Sequence, residues 1–181
     1  MSKLEDKRIA LLVANGFEQV ELTGPKYALT KAGADIHIVS IEPDQVKAWD
    51  STDWGDTFDV DKHIDQVKAE DYDGLVLPGG QLNPDFLRVN DDAINFVKDF
   101  AKQDKLIAAI CHGPWVLIEA ELVRDKRLTS YPSIKTDLIN AGANWIDQEV
   151  VIDGNLITSR KPDDIPAFNE AIINAMQEVP A

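Results

Sequence analysis

Short apolar runs alternate with stretches of helical spacing along this chain, and that alternation restricts the folds open to it. Arg8–Ala14 is apolar and stops at Asn15-Gly16, and Asp35–Ile41 is a second such run. Asp73–Leu77 stops at Pro78-Gly79-Gly80, and Lys105–Ile110 stops at Cys111-His112-Gly113-Pro114. Continuous apolar runs belong to strands covered on both faces. Between them, Val20–Ala32 has helical spacing and ends at Gly33, while Asp91–Lys102 turns Ile94, Phe96, Val97 and Phe100 towards one side. Further helices are expected over Pro114–Val123, Ser133–Ala141 and Asp163–Gln177, and Asp153-Gly154-Asn155 marks a hairpin between Glu149–Ile152 and Leu156–Ser159. The order predicts an α/β fold with a mostly parallel sheet. Val46–Asp61, with Trp49, Trp54, Gly55 and Phe58, interrupts the pattern and reads as a small hairpin or flap. No repeat or linker divides the 181 residues, so one domain is expected over 1–181.

Charge and cysteine count narrow the partners and the compartment. The net charge of −14 argues against nucleic acid and against anionic membrane. The acidity is spread out, which fits a role in solubility. Cys111 is the only cysteine, so no internal disulfide can form. Ile9–Ala14 is too short for a signal-peptide core or a membrane span. A reducing, cytoplasmic location is therefore expected.

In open α/β sheets, sites form beyond the carboxyl ends of the strands. Three loops fall there: Asn15–Glu21, Pro78–Arg88 and Cys111–Pro114. Cys111 stands where a strand ends and Gly113-Pro114 opens a helix, the geometry of a nucleophile elbow without the G-x-S-x-G pattern. A helix N-terminus lowers a thiol pKa, but by too little alone to make most of it thiolate. A further donor to sulfur is needed. Glu18 is a candidate if it is protonated; equally, Glu18 is a helix-start carboxylate, a role Glu21 could also fill. The amides of Gly80, His112 and Gly113 are candidates to hold an oxyanion. His112 is a candidate proton shuttle, oriented by an acid such as Asp85. Direct pairing of Cys111 with His112 across one peptide looks awkward at a sharp turn.

Other chemistries find no support. His37, His63 and His112 are the only histidines, so nothing downstream of Cys111-His112 can complete a hydrolase triad in the order nucleophile, acid, histidine. No CxxC, HExxH or phosphate-cradling glycine loop is present, and Asp50–Asp61 lacks the EF-hand spacing. No metal and no cofactor is expected.

Several stretches taken together resemble the ThiJ/PfpI superfamily, in its intracellular-protease-I-like branch. They are Gly16-Phe17-Glu18-Gln19-Val20-Glu21-Leu22, Leu77-Pro78-Gly79-Gly80, Pro84-Asp85-Phe86-Leu87-Arg88, Ala108-Ala109-Ile110-Cys111-His112-Gly113-Pro114, Asn140-Ala141-Gly142-Ala143 and Thr158 to Phe168. The resemblance implies a flavodoxin-like α/β sandwich related to class I glutamine amidotransferase domains, with a cysteine at a strained elbow. It implies a hydrogen bond from Glu18 to Cys111. It also implies that Asp85 of a neighbouring subunit orients the histidine, so that a homodimer or larger homo-oligomer completes the site. Gly80 to Asp85 is one residue longer than the usual spacing, and the Trp-rich segment departs from the familiar pattern. Activities described in the family include deglycase, glyoxalase, cysteine peptidase and chaperone. The residues favour aldehyde chemistry on a glyoxal-type compound or its early protein adducts, in stress protection. An oligomeric cysteine peptidase is the second expectation, and a non-enzymatic holdase or cysteine redox sensor the third.

Overall fold

A computed structural model describes residues 3–178. In chain order the elements are β1 (Arg8–Val13), α1 (Gln19–Lys31), β2 (Asp35–Ser40), β3 (Gln45–Asp50), β4 (Asp53–Asp59), β5 (Lys62–His63), β6 (Gly74–Leu77), α2 (Leu82–Arg88), α3 (Asp91–Lys102) and β7 (Leu106–Ile110). They continue with α4 (Pro114–Glu119), β8 (Arg127–Leu128), α5 (Lys135–Asn140), β9 (Asn144–Trp145), β10 (Val151–Asp153), β11 (Leu156–Ser159) and α6 (Ile165–Glu178). One seven-stranded sheet runs β10-β11-β7-β6-β1-β2-β5, parallel except at the β10–β11 edge. This is the α/β sandwich expected of the apolar runs.

Alternation along each strand feeds two cores. From β1 and the residue that follows it, Ala10, Leu12 and Ala14 join Phe96, Phe100 and Leu117 under α2–α5, whereas Ile9, Leu11 and Val13 join Leu22, Leu29, Phe168 and Met176 under α1 and α6. Each fully buried leucine or phenylalanine contributes roughly 1.5–3 kcal/mol. Both faces are therefore sealed, and the open ground lies at the strand ends.

The interrupting segment is a two-stranded antiparallel hairpin, β3–β4, lying off the main sheet. Its Trp49 and Trp54 rings meet edge to face, 5.5 Å apart. Backbone bonds fasten it to the end of β1: Gly16 N–H donates to Lys47 O at 2.8 Å and Trp49 N–H to Phe17 O at 2.7 Å.

Three expectations need correction. Pro78–Arg88 is not all loop, because Leu82–Arg88 coils into α2. The helix after Cys111 stops at Glu119 rather than Val123, since Glu121 turns left-handed (φ 59°). The segment Ser133–Ala141 opens as a 3-10 turn over Pro132–Ile134, with the α-helix confined to Lys135–Asn140.

Candidate active site

The carboxyl ends of β1, β6 and β7 meet at one pocket of about 550 Å³, lined among others by Glu18, Glu21, Trp49, Ser51, Gly80, Cys111, His112 and Tyr131. Cys111 follows β7 directly and has φ 63°, the left-handed region that a side chain with a Cβ rarely adopts. Its N–H donates to Ser159 O at 3.1 Å, and its carbonyl accepts from Tyr131 N–H at 2.9 Å. Neighbours on both sides thus hold the strained residue. The thiol is 7% exposed but lines the pocket, so it is reachable from one direction only.

Gly79-Gly80 makes the close approach possible. A Cβ on Gly79 would fall 2.6 Å from both Cys111 Cβ and Glu21 Oε1. Gly80 has φ 78°, and a Cβ there would strike Gly16 O and sit 2.7 Å from Glu18 N. Asn83, fully buried, braces this loop. Its Oδ1 accepts from Ala14 N–H at 2.7 Å, and its Nδ2 donates to the carbonyls of Pro78 and Gly79 at 3.0 Å each. Sequence reasoning missed Asn83, because Asn-Pro reads as a turn signal rather than an interior strut.

The carboxyl group beside sulfur belongs to Glu21, not to Glu18. Glu18 precedes α1 in extended conformation and turns outward, where its Oε1 accepts from Ser51 N–H of the hairpin tip at 3.0 Å. Glu21 lies one turn into the helix, above Leu22, Pro25 and Leu29, and is fully buried. Its Oε1 accepts from Gly79 N–H at 3.0 Å, and its Oε2 has no hydrogen-bond partner among the described residues. The group facing it is the Cys111 thiol. Burial, and then the charge of Glu18, push the Glu21 pKa up to about 8, so this carboxyl is neutral at pH 7.

Cys111 is likewise held protonated. Burial is the first cause and the Glu21 charge the second; the amides of Gly80 and His112, which point at the sulfur, oppose both. The lowered thiol pKa expected of a helix N-terminus is overturned by burial, and α4 has only six residues. Activation must come from moving the proton as sulfur attacks.

His112 is the group placed to take it. Nδ1 lies 3.2 Å from Cys111 Sγ, so adjacent side chains do meet here, the left-handed turn at Cys111 bringing the sulfur round to its neighbour. Tyr131 stacks on the imidazole (centroids 5.0 Å, 24°) and Trp115 meets it edge-on at 5.1 Å. Burial lowers the His112 pKa and keeps the ring neutral. Nε2 lies 3.1 Å from Ser133 Oγ. Asp85 is exposed in α2 and lines a second pocket with His112, Trp115 and Ser133; no hydrogen bond joins it to His112 within the chain. Gly113 is corrected as well: its N–H is taken by Ile110 O at 2.9 Å, which leaves the amides of Gly80 and His112 for an oxyanion.

Two further observations bear on what the site can hold. Among the described residues no group of three or more His, Cys, Asp or Glu is placed to hold a metal ion. No helix among them is long and apolar enough to cross a membrane.

A buried, strained cysteine at this edge of a parallel sheet defines the class, and comparison with known proteins gives the family. Residues 7–175 match the DJ-1/PfpI family, and the chain belongs to it. It is 43% identical over 171 residues to a Bacillus subtilis protein named Putative cysteine protease YraA, covering 94% of this chain and 99% of that one. It is 39% identical over 170 residues to Deglycase PH1704 of Pyrococcus horikoshii, covering 94% and 99%. Among solved structures, Drosophila melanogaster DJ-1beta superposes with a TM-score of 0.86 at 32% identity, over 96% of this chain and 91% of that one.

Proposed function

We propose that this chain is a cofactor-independent, cysteine-dependent hydrolase or lyase acting on glyoxal-type aldehydes or on their early adducts with proteins. The observation that carries the reading is the neutral, buried Glu21 carboxyl set against a thiol whose other neighbour is a neutral imidazole. Relatives named deglycases support the same class.

In the addition step, the Cys111 sulfur bonds to the aldehyde carbon as the carbonyl π bond breaks. The thiol proton passes to His112 Nδ1, and the new alkoxide lies against the Gly80 and His112 amides. Glu21 gives its Oε2 proton to that oxygen and becomes a carboxylate. The carboxylate then removes the hydrogen from the aldehyde-derived carbon, whose electron pair forms an enediolate, and returns it to the adjacent carbon, while the hydroxyl proton on the first carbon passes to the oxygen on the second. The aldehyde-derived carbon is thereby oxidised and its neighbour reduced, leaving a thioester that water cleaves to a 2-hydroxy acid, the departing sulfur recovering its proton from His112. No external oxidant or reductant is required. A reducing compartment, as expected of the cytoplasm, keeps Cys111 available.

The test is lactate yield from methylglyoxal with wild type and Cys111→Ala, against buffer-only controls, since early adducts revert spontaneously. Lactate from wild type alone is expected. Equal yields from the two proteins would end the reading.

A second reading is favoured by one specific contact, the 3.2 Å approach of Cys111 and His112, which a cysteine peptidase also needs. In that case Asp85 of a second copy orients His112. Exposed Leu82 and Phe86 on α2 and Val89 at its end form an apolar stripe beside Asp85, suited to contact with that copy. Turnover of a labelled peptide that vanishes in Asp85→Ala, or on dissociation to monomer, is the expected signature.

A further inference from the structure

The pocket in front of Cys111 is one-sided in charge. Glu18 lines it at the rim together with Trp49 and Ser51 of the hairpin, and no lysine or arginine is among its lining residues. Its one basic ring, His112, is kept neutral by burial. The hairpin strands add Asp50, Asp53, Asp56 and Asp59 against Lys47, whose ammonium lies over the Trp54 ring at 5.4 Å. Two cations precede the pocket residue Pro162 in the chain, and both are engaged elsewhere. Arg160 donates to Asp164 at 2.9 and 3.0 Å and to Asp147 at 2.8 Å, and Lys161 faces Asp163 at 3.8 Å. The net charge of −14 adds to the same sign. A cleft lined by one sign of charge focuses the field, so it draws in a cationic group and repels an anionic one.

Glu18 is fixed in place without being used up. Its Oε1 accepts from Ser51 N–H at 3.0 Å, which orients the carboxylate and leaves lone pairs on both oxygens. Trp49 spends its indole N–H on its own turn, donating to Ser51 O at 3.1 Å, so its ring offers the pocket carbon surface alone. A carboxylate beside an indole suits a planar guanidinium, which forks onto the oxygens and stacks on the ring. The reach is set by the two glycines. A Cβ on Gly80 would sit 2.7 Å from Glu18 N, and one on Gly79 2.6 Å from Cys111 Cβ, so Glu18 and Cys111 flank consecutive residues of one loop.

Early aldehyde adducts differ in the charge they carry beside the reacting carbon. On cysteine the adduct is an uncharged hemithioacetal. On a nucleotide base it brings anionic phosphate. On arginine it is a carbinolamine borne by a guanidinium, whose delocalised charge persists at neutral pH. We propose that Glu18, backed by the Trp49 ring, is the specificity-determining residue of this pocket: it binds the guanidinium of an aldehyde-modified arginine side chain and turns away adducts that carry phosphate or carboxylate. The proposal rests on the cysteine reading above and deepens it by naming the adduct that the sulfur attacks.

The first experiment needs no turnover. Cys111 is the only cysteine, so intact mass follows its modification alone. Methanethiosulfonates of similar size, carrying a trimethylammonium, a hydroxyl or a sulfonate group, probe which charge the approach to sulfur prefers. At low salt the cationic reagent is expected to react with wild type about tenfold faster than the anionic one, and Glu18→Gln to cut that ratio about fivefold. Glu170→Gln removes the same unit of charge from an exposed site on α6, outside the pocket, and is expected to keep the wild-type ratio. An unchanged ratio in Glu18→Gln, or an equal fall in Glu170→Gln, overturns the proposal. The second experiment compares kcat/KM for methylglyoxal adducts of Nα-acetylarginine amide and N-acetylcysteine amide, against buffer-only controls. Glu18→Gln should lower the arginine-to-cysteine ratio about fivefold, mainly through KM, and a ratio that stays at the wild-type value overturns the proposal. Adduct release by Cys111→Ala at the wild-type rate would sink the cysteine reading, while the reagent ratios would still decide whether Glu18 selects for positive charge.

Discussion

Glu18 and Glu21 are three residues apart, yet they occupy opposite physical settings. Glu18 lies at the pocket rim before α1 begins, with one oxygen on the hairpin amide of Ser51. Glu21 is sealed beneath the elbow beside the Cys111 thiol, with one oxygen on Gly79 N–H and the other without a hydrogen-bond partner among the described residues. Burial raises both pKa values, and Glu21 reaches about 8. The difference shows that a carboxyl group becomes a proton carrier through enclosure next to a reacting atom, and that mere nearness to the pocket is insufficient.

The largest contrast is expected in turnover. Glu21→Gln keeps the shape, the acceptor for Gly79 N–H and a donor towards sulfur, but it cannot release or regain a proton. A fall of about a hundredfold in kcat is expected, while Glu18→Gln should lose no more than a few-fold. Steady-state rates with methylglyoxal measure both, and comparable losses would break the distinction.

Stability is expected to move the opposite way. Glu21 is ordinary near 4.5 when unfolded and reaches about 8 when folded. Both states are protonated below pH 4.5, so there is no penalty there. As pH rises, the unfolded state ionises first and folding is progressively disfavoured, by about 3 kcal/mol at pH 7. Glu21→Gln removes that dependence, so thermal melting at pH 7 should rise by roughly 8 °C, with little gain at pH 4.5. A fall at both pH values would mean that Glu21 is not held neutral.

The fold was largely legible from the chain, and the site less so. Apolar runs ending at Asn15-Gly16, Pro78-Gly79-Gly80 and Gly113-Pro114 mark the strands because backbone chemistry at those stops is local. Helix α2 was hidden by Asn83-Pro84, and the early end of α4 by the absence of a glycine at Glu121. Cys111 was legible through its strand end. Choosing between Glu18 and Glu21 required knowing where α1 starts, to within a residue. A usable signal did exist: Glu21 heads the buried stripe Leu22, Pro25 and Leu29, which Glu18 does not share. Tertiary bonds such as Ser133 to His112, twenty-one positions apart, leave no local trace.

The profile of kcat/KM against pH sharpens the pair further. His112 must be neutral to accept the thiol proton, and burial lowers its pKa, so the rising limb should lie below 6.5. Glu21 must be protonated when the alkoxide forms, so activity should fall around pH 8. Loss of the falling limb in Glu21→Gln, with the rising limb kept, would assign it.

The smallest expected effect is also the most diagnostic of the link between the two carboxyls. After burial, the charge of Glu18 is the next cause of the raised Glu21 pKa. Glu18→Gln removes that charge but keeps an oxygen for Ser51 N–H, so the hairpin should remain docked. The falling limb should then move to lower pH while the rising limb stays in place. A shift of both limbs would mean that Glu18 acts on the pocket as a whole. An unmoved falling limb would mean that solvent at the rim screens Glu18 from the interior, and the two carboxyls would then titrate independently despite lying one helical turn apart.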